Sequence, residues 1–194
     1  MNSNIEDGYL SIILGPMWSG KTSKLFDVYK QCTFCDINVM PINYIHDNRY
    51  GEGASNMSTH DERIIPCVKV NKLSDAADIC RSSTCDEFMK AKVILINEAQ
   101  FFSDIEEWVI CAVETYKKHV YICGLDGDYK REKFGNILNL IPYCDKVEKL
   151  SSICVVCKKS SAIFTHRNNS VSDDSQVLIG THEYMPLCRH CYTT

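Results

Sequence analysis

No apolar run in the sequence approaches the ~20 residues that span a bilayer, which argues against a transmembrane protein. The first residues, Met1 to Gly8, lack the basic segment and apolar stretch of a secretory signal, so none is expected. Lys and Arg never cluster beyond two adjacent residues, and the net charge is −4. Binding to nucleic acid by phosphate neutralisation is therefore not expected. Internal repeats and low-complexity tracts are missing as well. What remains is the composition of an ordinary soluble chain, 45% hydrophobic and 24% charged over 194 residues. That length suits one domain, or one domain with an appendage.

Cysteine is the residue the chain does not lack, with twelve copies. In a secreted chain they would signal a disulfide scaffold. Without a leader, and with the nucleotide motif described next, they predict a reducing, cytoplasmic setting with thiols buried or bound to metal.

The apolar run Tyr9-Leu10-Ser11-Ile12-Ile13-Leu14 leads straight into Gly15-Pro16-Met17-Trp18-Ser19-Gly20-Lys21-Thr22. That is G-x-x-x-x-G-K-[ST] between a buried strand and a helix expected from Lys21 to about Cys32. Glycines let the backbone curl so that its N–H groups face phosphate oxygens, Lys21 can reach the β- and γ-phosphates, and the Thr22 hydroxyl can ligate Mg²⁺. A turn of this kind that binds nothing is the weaker reading. The motif predicts a nucleoside-triphosphate site.

Further strands are expected at Ile37 to Tyr44, where Pro41 indicates an edge or a bend, at Arg63 to Val68, at Ala91 to Ile96 and at His119 to Cys123. Helices are expected from Ser74, as N-cap, to Met89, and from Asp104 to about Lys117. His46 to Glu62 reads as a long loop. Strands alternating with helices over residues 1–150 make an α/β domain on a mostly parallel sheet; from Ser151 onward the alternation stops, and 151–194 reads as a small cysteine-bearing appendage.

The buried run Ala91 to Ile96 ends in Asn97-Glu98-Ala99-Gln100-Phe101-Phe102. A carboxylate at this strand end can serve as general base toward a hydroxyl near the γ-phosphate, which singles out Glu98, with Gln100 able to bond in the same neighbourhood. Phe101 and Phe102 are expected to pack, and also to be able to wall a base pocket. Cys154-x-x-Cys157 and Cys188-x-x-Cys191, 30 residues apart, suit a closed tetrahedral zinc site that two hairpin turns would assemble. Cys32-x-x-Cys35 has no matching pair and reads as chance; Cys67, Cys80, Cys85, Cys111, Cys123 and Cys144 read as singletons.

These elements, in this order, resemble the thymidine kinases of the small zinc-containing class found in animals, bacteria and large DNA viruses. The resemblance runs from Leu14 to Tyr192 and rests on the phosphate loop, Asp47-Asn48-Arg49-Tyr50, Thr59-His60-Asp61, Asn97 to Phe102, Leu125-Asp126-Gly127, Phe134 to Pro142 and the four cysteines. Its wording is closest to poxvirus-type members. The resemblance implies a RecA-like P-loop domain (1–150) with a zinc-binding lasso (151–194), and phosphorylation of the thymidine 5′-hydroxyl by Mg²⁺-ATP. It places the catalytic base on Glu98, nucleotide contacts on Gly15 to Thr22, Asp47, Asn48, Arg49, Asn97 and Gln100, and Mg²⁺ on Thr22. Nucleoside contacts fall on Met17, Phe101, Leu125, Tyr129, Phe134, Thr165, Gly180 and Tyr184, with Tyr129 stacking on thymine where most members carry Phe. The segment Asp128 to Phe134 would cover the substrate and Thr165 to Tyr184 would form the lasso. The resemblance further implies feedback inhibition by thymidine triphosphate, a homotetramer or homodimer, and neither nucleic acid nor membrane as partner.

One position departs from the family pattern. Members almost always carry Asp-Glu where this chain has Asn97-Glu98, so an active kinase with a weakened hold on Mg²⁺ is expected, with Thr22 carrying more of it. Two other readings compete: a P-loop ATPase coupled to conformational work, and a zinc-ribbon nucleic-acid binder with a vestigial nucleotide site. Small size weakens the first and charge balance the second.

Overall fold

Tyr9–Leu14 forms the strand β1, and five more strands align with it in one sheet. The computed structural model describes residues 7–47, 55–59, 63–81, 85–168, 176 and 183–194. In chain order the elements are β1, the helix α1 (Lys21–Phe34), β2 (Val39–Tyr44), β3 (Asn56–Ser58), β4 (Ile64–Pro66), β5 (Val68–Val70), α2 (Leu73–Ala76), α3 (Asp86–Lys90), β6 (Val93–Ile96), α4 (Ile105–Ile110), β7 (His119–Gly124), β8 (Lys146–Lys149), β9 (Ser152–Ile153), β10 (Ser161–Ala162), β11 (Phe164–Arg167), β12 (Tyr184–Leu187) and α5 (Arg189–Thr193).

The main sheet has the order β5-β2-β6-β7-β1-β8, and every pairing in it is parallel. Its central strand β6 is buried at all four residues, as a β-branched run covered on both faces should be. The largest core cluster gathers Leu10, Ile12, Met40, Ile42, Ile94 and Ile96 from the strands with Phe88, Ile105, Trp108 and Val109 from the helices. A smaller one packs Leu25 of α1 against Ile13, Leu95 and Cys123 on the other face. Parallel strands carry all their carboxyl ends to one edge, where open α/β sheets bind ligands.

Pro41 does not mark an edge, because β2 lies inside the sheet between β5 and β6. Even-numbered residues of β2 aim their backbone at β6: the Ile42 carbonyl accepts the Asn97 N–H at 3.0 Å and the Asn38 carbonyl accepts the Val93 N–H at 3.2 Å. Pro41 therefore faces β5, whose pairing starts only at Ile42 with Val68, so no ladder bond is lost.

Other expectations change as well. Within the loop from His46 to Glu62, Asn56–Ser58 pairs antiparallel with β4 as a two-stranded ribbon. The strand expected from Arg63 to Val68 divides at Cys67, whose N–H bonds the Ser55 carbonyl at 2.8 Å while Val68 turns onto β2. The helix expected from Ser74 to Met89 is two short helices, α2 and α3, with a 3₁₀ turn at Ile79–Arg81. Ala77 is extended (φ −161, ψ 116), and its carbonyl accepts the Trp108 indole N–H at 2.8 Å instead of continuing α2. Ser74 is not the cap. Asp104 supplies it from across the fold, accepting the Leu73 and Ser74 N–H groups at 3.1 and 2.9 Å. The helix expected from Asp104 to about Lys117 is present, α-helical over Ile105–Ile110 and π-helical at Cys111–Thr115.

After β8 the chain forms two antiparallel pairs, β9 with β10 and β11 with β12. No described helix is long and apolar enough to cross a membrane.

Replacing Asp104 with Ala leaves two N–H groups of α2 without their acceptors. We expect a loss of about 1 kcal/mol in urea unfolding, with an unchanged denaturant slope.

Candidate active site

The phosphate loop folds as its sequence requires. Gly15 has φ 151, and a Cβ there would lie 2.8 Å from the Leu150 carbonyl oxygen, so only glycine fits. Gly20 is the N-cap of α1, whose first turn carries no acidic residue, leaving the positive end of the helix dipole available to an anion. The Pro16 carbonyl accepts both the Lys21 ammonium, at 2.7 Å, and the Ser19 hydroxyl, at 2.8 Å, which holds both side chains over the loop.

The loop forms the floor of a pocket at the carboxyl edge of the sheet. Met17 to Thr22 line it together with Asp47, Glu98, Gln100 and Phe101. Leu125, Tyr129, Phe134, Thr165 and Tyr184 complete it from loops and ribbon. Gly15 and Pro16, at the start of the loop, do not line the pocket, and neither does Asn97. Asn48, Arg49 and Gly180, expected here from the sequence, fall outside the described residues, as do Tyr50, His60, Asp61 and most of the lasso between Thr165 and Tyr184.

Glu98 is only 8% exposed and adopts a left-handed conformation (φ 53, ψ 41), a strained geometry for a non-glycine residue of the kind that gathers at functional sites. Gln100 fixes its carboxylate: the Gln100 amide donates to Glu98 Oε2 at 2.7 Å, while its own oxygen accepts the Leu125 N–H at 3.0 Å. Room for the Gln100 backbone comes from Gly135, where φ is 61 and a Cβ would lie 2.1 Å from the Gln100 carbonyl oxygen. Asn97, fully buried, accepts the Thr22 hydroxyl through Oδ1 at 3.2 Å, joining the strand end to the phosphate loop.

The other wall is aromatic. Phe101 stacks on Tyr44 at 4.7 Å and meets Phe134 edge-on at 5.5 Å. Phe102 points the other way, into the core. Tyr129 lines the pocket with the Arg167 guanidinium 3.9 Å from its ring centroid, and Arg167 also donates to the Tyr184 hydroxyl at 2.6 Å. Asp128, buried, accepts the Lys130 and Glu132 N–H groups at 2.8 and 2.9 Å and the Gln176 amide at 2.8 Å, which shapes the loop that presents Tyr129. The ribbon also reaches the floor: the Met17 N–H donates to the Thr165 hydroxyl at 3.1 Å across 148 residues of sequence.

Sequence reasoning missed Ser23, Tyr44 and His46, which line the pocket; Asp128 and Gln176 line it too, from the covering segment and the lasso it expected, though neither was singled out as a contact. For Tyr44 and His46 a signal existed, since both sit at or just past the carboxyl end of a parallel strand.

Cys154, Cys157, Cys188 and Cys191 bring their sulfurs within 4.8 Å of one another. A tetrahedral zinc thiolate site has sulfurs about 3.8 Å apart, and Cys157 and Cys188 already stand at 3.9 Å. Burial pushes the Cys154 thiol up, but backbone N–H groups of Cys157, Cys188 and Val156 outweigh it and hold the group at about 6. N–H groups of Lys159 and Ser160 lower Cys157. Burial, then the neighbouring thiols, raise Cys191 to about 12. Donors aimed at sulfur together with mutually close thiols are the chemistry of a cluster that could hold a metal ion. The first pair sits at the β9–β10 turn; the second spans the start of α5 rather than a hairpin. Cys32 is buried and Cys35 exposed at the end of α1, and neither joins a ligand cluster among the described residues.

Comparison with known proteins agrees with this geometry. Residues 8–192 match the family described as thymidine kinase. A thymidine kinase of Yaba monkey tumor virus is 38% identical over 191 residues, covering 97% of each chain. One from rice is 38% identical over 186 residues, 95% of this chain and 66% of the plant protein. The cytosolic thymidine kinase of Cricetulus griseus is 35% identical over 186 residues, 95% of this chain and 73% of its own. With the match covering nearly every residue from the phosphate loop to the last cysteine, the chain belongs to the thymidine kinase family.

Proposed function

We propose that this protein transfers the γ-phosphate of ATP to the 5′-hydroxyl of thymidine, giving thymidine monophosphate for DNA precursor synthesis. The observation that carries the reading is one pocket lined on its floor by Met17 to Thr22, at one side by Glu98, and at the other by Tyr129 and Phe134. An ATP site alone would not need the aromatic wall, and a base-binding site alone would not need the loop.

In this reading residues 1–150 bind ATP and residues 151–194 close over the nucleoside. Within the loop Gly15 to Thr22, backbone N–H groups of Trp18 to Thr22 and the α1 N-terminus hold the phosphates, with Lys21 neutralising the transferred group. Asp47, Asn48, Arg49, Asn97 and Gln100 complete the nucleotide side. Glu98 accepts the 5′-hydroxyl proton, kept in place by Gln100 and screened from water by its burial. Tyr129 stacks on thymine, backed by Arg167; Met17, Phe101, Leu125, Phe134, Thr165, Gly180 and Tyr184 enclose it.

Zinc on Cys154, Cys157, Cys188 and Cys191 would pin the ribbon that carries Thr165 and Tyr184. For Mg²⁺ the chain offers a neutral set: the Thr22 hydroxyl as ligand, with the buried Asn97 carboxamide behind it accepting its hydrogen bond at 3.2 Å. That set suits an ion which takes few protein ligands and keeps phosphate and water. Mg²⁺ would neutralise charge on the phosphates. Cytoplasmic location, a homotetramer or homodimer, and inhibition by thymidine triphosphate belong to the same reading, by likeness to the family.

Three outcomes test it. ADP formation from ATP should depend on thymidine and ignore DNA; turnover without thymidine would indicate an ATPase, and salt-sensitive retention of DNA a nucleic-acid binder. Glu98→Gln should lower kcat by about 10²- to 10⁴-fold while ATP affinity, read by calorimetry, stays close to that of the unmodified protein. Cys157→Ser should abolish stoichiometric zinc, lower the melting temperature by at least about 5 °C and raise the KM for thymidine more than that for ATP.

A further inference from the structure

A row of side-chain hydrogen bonds runs behind the phosphate loop from Thr22 to Asp47, and the reaction as described above gives no part to Asn43 in its middle. Thr22 Oγ1 donates to Asn97 Oδ1 at 3.2 Å. Asn97 Nδ2 donates to Asn43 Oδ1 at 3.0 Å, and Asn43 Nδ2 donates to the Asp47 carboxylate at 3.0 Å. Asn43 Oδ1 also accepts the Tyr44 N–H at 3.0 Å, and Asn97 Oδ1 also accepts the Cys123 thiol at 3.1 Å. Both asparagines are 1% exposed, so water does not compete for these bonds.

The row has one direction. An ionised carboxylate only accepts, so Asp47 obliges Asn43 to present its amide nitrogen to it. The Tyr44 N–H imposes the same orientation from the other side. Asn43 must then show its oxygen to Asn97, and Asn97 must answer with its amide nitrogen. That leaves the Asn97 oxygen facing Thr22. Turned over, Asn97 would set two oxygens about 3 Å apart at Asn43 and present N–H donors to Thr22, whose hydroxyl would then spend a lone pair accepting one. A hydroxyl that ligates a cation has to send its proton elsewhere. Asn97 Oδ1 accepts that hydrogen bond and leaves the Thr22 lone pairs for the metal.

We propose that Asn43 is a positioning residue for the cation site: it holds Asn97 with its oxygen toward Thr22, so that Thr22 turns its lone pairs to the Mg²⁺ carried by ATP. The inference rests on the reading of the phosphate loop as a Mg²⁺-ATP site. It explains how a neutral residue can stand at position 97. What Thr22 needs there is an acceptor of fixed orientation, and a negative charge is one way of providing it.

The test uses Mn²⁺ as the probe, with its affinity for the full-length protein saturated with a non-hydrolysable ATP analogue measured by electron paramagnetic resonance. Asn43→Leu and Asn43→Ala should each weaken Mn²⁺ binding by about tenfold, the usual scale for residues behind a metal ligand. Binding of the metal-free analogue should change by less than about twofold. In an Asn97→Ala background neither substitution should weaken Mn²⁺ further, because Asn43 acts through Asn97. Equal losses in both backgrounds, or no loss in either, would overturn the proposal. Two replacements of different size keep the cycle usable if one of them does not fold. Failure of the unmodified protein to bind the Mn²⁺-nucleotide pair would instead refute the reading of the loop.

Discussion

The parallel alignment of β6, β7 and β1 is the constraint on which the site depends. The phosphate loop follows β1 and Glu98 follows β6, with β7 between them. Because all three strands run the same way, the loop, the carboxylate and the Leu125 backbone reach the same edge, about two strand spacings (~10 Å) across. That is the scale on which a phosphate chain on one side can face a hydroxyl held on the other. Gln100 bridges the gap by bonding Glu98 with one end of its amide and Leu125 with the other. An antiparallel strand in the middle would have sent one of these groups to the far edge.

A second constraint closes the pocket from outside the sheet. The Met17–Thr165 hydrogen bond and the contact of Arg167 with Tyr129 attach the β11–β12 ribbon to the floor and to the aromatic wall. The Tyr192 hydroxyl adds a bond to the Tyr129 carbonyl. The ribbon's own core is small, chiefly Cys154, Ala162, Leu187 and Cys188, so it has little apolar burial with which to hold this position. A metal on its four sulfurs would supply the missing stability, which joins the cysteine cluster to nucleoside binding without placing it in the chemistry.

The parts that were legible in the sequence are those whose chemistry is local. Gly15 to Thr22 states its geometry within eight consecutive positions, and each C-x-x-C pair does so within four. Glu98 was legible because it follows an unbroken buried run. Contacts between distant segments were not. Asn43 and Asn97 are 54 residues apart and meet only because β2 lies beside β6. Asp104 caps a helix 30 residues away, and Trp108 draws the Ala77 carbonyl out of one, so local propensity placed Ser74 as a cap and merged α2 with α3. Pro41 misled for a related reason: its tolerance depends on where β5 begins to pair, which its own neighbours do not record. Asp128 and Gln176 lie in segments expected to cover the substrate, but the hydrogen bond that joins them leaves no periodic trace.

A buried Glu98 facing the phosphate loop beneath an aromatic wall directs the proposed phosphoryl transfer to a nucleoside hydroxyl and not to water. The most direct measurement follows γ-labelled ATP with thymidine present and identifies the product by mass spectrometry. The account predicts label in thymidine 5′-monophosphate, formed in equal amount with ADP. Label appearing as free phosphate, at a rate indifferent to thymidine, would contradict it.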